Sequence, residues 1–146
     1  MSKVISFIVI VPIMVLIIYK SILFYEFDTK QRYIKDLADN LTYKVKITGI
    51  LTPDEYNEFF IKLNKVSKFE PYSVILRQGR YIDGVAADWL TYMPGNSLER
   101  GQAFMVFVKS TDVPLYSRLQ NGGVMSSDDQ NLRFVAKAQC RIEKDY

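Results

Sequence analysis

The chain has 146 residues, a formal net charge of +3, no histidine and one cysteine, Cys140. Without histidine it lacks the commonest general base and transition-metal ligand, which excludes Ser-His and Cys-His nucleophiles and, with a single cysteine, a zinc site. Only two of the 19 Lys and Arg and none of the 16 Asp and Glu precede residue 26, so the rest of the chain is nearly neutral and lacks the basic excess of nucleic-acid-binding proteins. We therefore expect no enzyme activity, no metal or other cofactor and no nucleic-acid partner.

The N-terminal region is dominated by an apolar run. Residues 4–19 contain no charged or amide side chain and are rich in Ile and Val. With the Lys20 ammonium reaching lipid headgroups, a helix over residues 4–25 is about 33 Å long, enough for a hydrocarbon core of roughly 30 Å. The run predicts a transmembrane anchor over residues 1–25. Its membrane and assembly helix includes Val4, Ile8, Pro12, Leu16 and Lys20.

Two alternatives to a retained anchor are a cleaved signal peptide and a buried helix of a soluble protein. No small-x-small cleavage site follows the run, which continues as YKSILFYEF. This favours retention.

Residues 26–49 carry an apolar stripe at helical spacing with charges on the other face, which predicts an amphipathic stalk continuous with the anchor. Gly49 is a suitable helix stop. An alternative is a short strand around residues 43–47, where apolar side chains alternate with Lys44 and Lys46. The stripe consists of Ile34, Leu37, Ala38, Leu41 and Val45.

A second, shorter helix is predicted over residues 53–66. Thr52 can cap it, Pro53 suits its first position, and Glu55 completes a capping box. Its apolar, largely aromatic face is expected to be core, with a groove for a partner as the alternative.

The remaining sequence indicates strands. They are predicted around residues 72–77, over residues 102–109 and in the alternating stretch after residue 131. The middle strand is apolar on both faces and so is expected to be central. Cys140 falls on the apolar side of the last strand, as a small core residue. The fold class is therefore α+β, with the helices followed by a head, residues 50–146, in which the short helix is expected to pack on an antiparallel three-stranded sheet.

Two long connections are predicted. Residues 78–101 carry Tyr81, Trp89 and Tyr92, and we interpret this segment as either a lid over the sheet or an interaction loop, because Trp and Tyr dominate binding hot spots. The second, residues 110–131, is expected to form a turn of helix followed by a loop.

An apolar N-terminal helix continued by an amphipathic helix and a small α+β head resembles type IV pilin-like proteins. Locally, KITGILTPDEYNEFFIKL and RGQAFMVFVK are similar to passages of TadE-like pseudopilins and related small proteins of Gram-positive conjugative elements. The resemblance implies a pilin-like subunit or accessory component of a surface filament or of a conjugation or secretion apparatus, with homo- or hetero-oligomeric partners and no catalysis.

The chain also departs from the pilin pattern. MSK precedes the apolar run, where pilins have Gly or Ala, and no acidic residue occurs before Glu26. The sequence therefore leaves open whether a prepilin peptidase processes the chain. The resemblance implies a single-pass protein of the cell membrane with an extracytoplasmic head, whereas the basic residues after the run favour a cytoplasmic head. The alternative function, from another class, is a membrane-tethered binding module, sensor or chaperone-like, of a secretion machine.

Overall fold

The computed structural model describes residues 2–120 and 131–144. Within them the chain is α+β, as expected: a very long N-terminal helix, a shorter second helix, a short third helix and an antiparallel sheet. The elements are α1 (Ser2–Thr48), α2 (Pro53–Asn64), β1 (Val74–Ile82), β2 (Val85–Thr91), β3 (Gln102–Lys109), α3 (Leu115–Gln120) and β4 (Val135–Arg141).

Helix α1 runs without interruption from the apolar run through the amphipathic stretch. The predicted stripe is confirmed, since Ile34, Ala38, Leu41 and Val45 are buried and Leu37 is half-buried. The alternative of a strand at residues 43–47 is wrong, because those residues are helical. The helix stops at Gly49, whose φ of 70° lies in the left-handed region and whose N–H donates to the Val45 carbonyl at 2.8 Å.

Helix α2 begins with the predicted capping box. The Glu55 N–H donates to the Thr52 hydroxyl at 3.3 Å, and the Thr52 N–H donates to the Glu55 carboxylate at 3.1 Å. These two bonds satisfy donors that a helix N-terminus otherwise leaves unpaired. Phe59 and Leu63 anchor the helix in the core.

The sheet has four strands in the order β2-β1-β3-β4, all antiparallel, so the prediction of three strands is corrected to four. The additional strand, β2, lies in the segment predicted as a long connection, and β1 continues to Ile82 instead of ending near Arg77. Residues 83 and 84 join β1 to β2 in a two-residue turn. Both have positive φ, 51° for Asp83 and 80° for Gly84, as a type I′ turn requires.

One face of the sheet, which we call the inner face, packs against the second half of α1. Strand β3 has the predicted bounds and is central, with Phe104, Val106 and Val108 fully buried in one core with the α1 stripe. Ala136 and Ala138 of β4 join them, which confirms the alternation predicted for this strand. We call the opposite side the outer face.

Backbone and side-chain bonds fix α1 along the edge strand β4. The Gln31 amide accepts from the Val135 N–H at 3.2 Å and donates to the Val135 carbonyl. Fifteen residues further along α1, the Lys46 carbonyl accepts from the Glu143 N–H at 2.9 Å. Strand β4 therefore runs in the same direction as α1. The head is held along residues 31–46 of the helix.

The second predicted connection contains α3, which confirms the turn of helix at residues 115–120. The expectation of a loop over residues 121–130 lies outside the described residues.

Candidate interaction sites

The apolar residues before Leu23 have no cover within residues 2–120 and 131–144. Residues 3–22 are all exposed, and Leu23 is the first residue of α1 that the head buries. We call residues 4–22 the apolar segment. Contiguous apolar surface of this extent is characteristic of membrane or protein contacts. The five residues predicted for the membrane and assembly helix all lie on the apolar segment and are exposed: Val4, Ile8, Pro12, Leu16 and Lys20.

The apolar segment keeps its helical form despite a proline. Pro12 lies inside α1, and the helix continues on both sides of it. The Ser21 hydroxyl donates to the Ile17 carbonyl at 2.9 Å, so its polar group is satisfied within the helix. Among the described residues, α1 is the one helix long and apolar enough to cross a membrane.

The Tyr92 side chain is not exposed to a partner. It is buried beside Phe104, with ring centroids 5.3 Å apart in an edge-to-face arrangement. Its hydroxyl accepts from the Leu51 N–H at 3.0 Å and donates to the Asn96 carbonyl at 2.6 Å. Burial raises its pKa above the usual value. The assignment of Tyr92 to an interaction loop is therefore corrected: this tyrosine ties the segment after β2 to the start of α2.

Tyr81 and Trp89 lie on strands, not in a loop, and strand alternation places both on the outer face. The Trp89 ring lies over Gly79, where a Cβ atom would be 3.0 Å from the ring. The Arg141 guanidinium lies 5.7 Å from the centre of the Tyr81 ring, a cation–π contact. Both aromatic rings are half-buried, and their exposed parts belong to a sheet surface.

On strands β1, β3 and β4 the outer face carries a one-sided charge that composition does not reveal. Among the outward positions of β1, β3 and β4 there are four basic side chains and no acidic one. Phe107 and Ile75 supply apolar surface between them. The basic residues are Arg77, Lys109, Lys137 and Arg141. We define the outer-face site as these four residues together with Tyr81 and Trp89.

Comparison with family models, with curated proteins and with solved structures finds no match to this chain. The functional proposals therefore depend on its own residues.

Within residues 2–120 and 131–144, no three Cys, Asp or Glu side chains converge in a group that could hold a metal ion. Cys140 is half-buried, and its thiol donates to the Thr42 carbonyl at 3.3 Å. Burial raises its pKa from 9.0 to about 11. The lone cysteine is therefore a packed side chain with little thiolate at neutral pH.

We expect Cys140 to alkylate slowly in the folded protein. A pKa that is two units higher leaves about a hundredfold less thiolate at pH 8, and the thiolate is the reacting form. The rate of iodoacetamide labelling, measured by intact-mass spectrometry, should rise with pH up to about 11. The same chain unfolded in urea is the control, since its thiol should label at an ordinary rate. Equal labelling rates in the two states at pH 8 would contradict the burial of this thiol.

Two glycines provide a matched test of the Trp89 position. A Cβ at Gly79 would lie 2.7 Å from the Ala87 carbonyl oxygen as well as against the Trp89 ring, so Gly79→Ala should displace the strand or the ring at a cost of about 1–3 kcal/mol. Gly84→Ala meets no atom within 4 Å and is strained only by its positive φ. Trp89 is the sole tryptophan, so its emission reports the difference. The spectrum should shift for Gly79→Ala and stay unchanged for Gly84→Ala.

Proposed function

We propose that the protein is a bitopic, pilin-like structural subunit or accessory component of a surface filament or of a conjugation or secretion apparatus. Its apolar segment crosses the membrane and packs against copies of itself or other subunits. The observation that carries the proposal is the exposure of every residue from 3 to 22, which no described part of the head covers. Exposure of this much apolar surface to water is unfavourable, so lipid or other apolar helices cover it.

The division of α1 supports a structural role. Its first part contributes nothing to the core of the head, whereas its second part is built into that core through Ile34, Ala38 and Val45. A rigid helix shared in this way transmits the position of the head to the segment in the membrane. The head is extracytoplasmic in this proposal, catalyses no reaction and presents the outer-face site to a neighbour.

Cysteine cross-linking in native membranes tests the assembly. In a Cys140→Ser background, single cysteines are placed at successive positions of residues 5–18 and oxidised in intact cells. Packed helices should yield disulfide-linked copies, or links to a second subunit, at positions that recur every 3.6 residues. A cysteine at Tyr43, exposed on the head part of α1, is the control outside the membrane.

Cross-links at no position, together with a strictly monomeric protein in mild detergent, would contradict assembly through this helix. Uniform cross-linking at every position would indicate random collision in the membrane and would contradict it as well.

The second candidate is a membrane-tethered binding module, favoured by the charge of the outer face. Its basic and aromatic side chains, with no acid among the outward positions of β1, β3 and β4, suit an acidic partner. Lys137→Glu combined with Arg141→Glu should then abolish partner binding by the full chain in detergent while cross-linking through the apolar segment persists. Lys44→Glu combined with Lys65→Glu, at exposed helical or loop positions elsewhere, is the control of equal charge change.

A further inference from the structure

Helix α3 is docked where α1 leaves the apolar segment. The Tyr116 ring lies 5.4 Å from the Phe24 ring and 5.7 Å from the Phe27 ring, measured between centroids. Phe27 also stacks on Phe134, 5.0 Å away, directly before β4. These aromatic contacts fix α3 beside residues 23–27 of α1.

Apolar side chains remain exposed on this docked element. Leu115 is 51% exposed, and Leu119, one turn further along α3, is also exposed. Leu132 is 50% exposed, and its N–H donates at 2.9 Å to the hydroxyl of Ser117, which is buried. The three leucines are therefore held at this end of the head by defined contacts, and no described part of the head covers them. We call them the α3 patch.

The α3 patch lies beside the part of α1 that is expected at the bilayer boundary, and this position points to lipid as the group that covers the patch. A helix over residues 4–25 spans about 33 Å, so Phe24 and Phe27 lie where the hydrocarbon of a bilayer about 30 Å thick gives way to headgroups. Apolar side chains at this depth are favourable in lipid. Arg118, two residues after Tyr116 on α3, is exposed, and basic side chains near a bilayer attract anionic headgroups.

The two acidic residues of α1 at this level are paired with basic residues of the same helix. Glu26 pairs with Lys30 at 2.6 Å, and Asp28 pairs with Arg32 at 2.9 Å, both one helical turn apart. Their charges are therefore balanced within α1.

We propose that the α3 patch lies in the bilayer boundary and forms a second membrane contact beside the apolar segment. The contact fixes the head upright on the membrane, because it adds a point of attachment to one side of a single helix. The inference depends on the proposed function only in that the apolar segment spans the bilayer.

Depth-dependent fluorescence quenching in the full chain tests the contact. In a Trp89→Phe background, a single tryptophan replaces Leu115, or Leu132 in a second variant, and the protein is reconstituted into phosphatidylcholine–phosphatidylglycerol vesicles. Acyl chains brominated near the headgroup should quench both probes, and both should emit at shorter wavelength than a water-exposed tryptophan. Met93→Trp is the control, because Met93 is 66% exposed and lies at the far end of the head, two residues before Gly95, whose N–H donates to the Leu51 carbonyl.

A fourth probe, Leu16→Trp, reports the apolar segment separately. This probe is read with acyl chains brominated near their middle, because residue 16 lies about halfway along the span over residues 4–25. If Leu16→Trp is quenched by these lipids while both α3-patch probes are unquenched by the shallow ones, the second contact is overturned and the membrane span stands. Unquenched but blue-shifted emission from the patch probes would also overturn it, since protein rather than lipid would then cover the leucines. If Leu16→Trp is unquenched as well, the membrane span itself fails.

Discussion

Phe104→Ala is expected to lower the free energy of unfolding of the head by about 3–5 kcal/mol, because a fully buried phenylalanine leaves both lost apolar burial and a cavity. Phe104 lies on the inner face of the central strand, edge-to-face with Tyr92. The change removes that ring contact as well as contacts with the α1 stripe. Since small domains are stable by only about 5–15 kcal/mol, much of this margin should disappear.

Phe107→Ala is the matched control for this prediction. Phe107 belongs to the same strand but lies on the outer face and is half-buried, so its truncation should cost no more than about 2 kcal/mol. Urea unfolding of both variants in mild detergent, followed by Trp89 emission, measures the difference. Equal losses would mean that the core does not lie between the sheet and α1.

Elements with a strong local pattern could be predicted from the sequence. The α1 stripe and the capping box of α2 depend on residues within a few positions of one another. Strand β3 was predicted with its full bounds because it is apolar throughout, and β4 because it alternates over its length. In each case the local preference agrees with the packing of the whole head.

Strand β2 was missed although it has a local signal. Asp83-Gly84 is a characteristic type I′ turn pair, but the segment after it alternates poorly. The register shifts between Gln78 and Arg80, and Asp88 on β2 has a positive φ of 54°, so a bulge interrupts the alternation beside Trp89. The Asp83-Gly84 pair by itself predicts the hairpin, whereas the aromatic residues of the segment had favoured an interaction loop.

The roles of the candidate site residues depend on distant pairings that no local pattern contains. Tyr92 is buried because its hydroxyl meets the N–H of Leu51, 41 residues earlier. The basic outer face exists because Arg77, Lys137 and Arg141 are brought to one side by the register of three strands. Composition shows only a small net charge, and only the sheet shows where the charges lie.

Two arginines in the middle of the apolar segment are expected to release the protein from the membrane. Ile13→Arg combined with Ile17→Arg replaces side chains that are 51% and 60% exposed within the chain. At the centre of a bilayer each arginine costs about 2.5–3.5 kcal/mol, so the pair opposes insertion by about 5–7 kcal/mol. If the segment lay in water instead, the same changes would reduce its exposed apolar surface and would not disturb the core.

The chain offers a control of the same residue type and exposure. Ile47, 51% exposed on the same helix, and Ile61, 57% exposed on α2, both lie on the head. Ile47→Arg combined with Ile61→Arg should leave the protein in the membrane fraction after alkaline carbonate extraction, whereas the Ile13 and Ile17 pair should move it to the supernatant. Because both double variants add two charges to exposed isoleucines, charge alone cannot separate them. Only an apolar environment around residues 13–17, of lipid or of packed helices in the membrane, can. Retention of both double variants would mean that something other than the apolar segment attaches the head to the membrane.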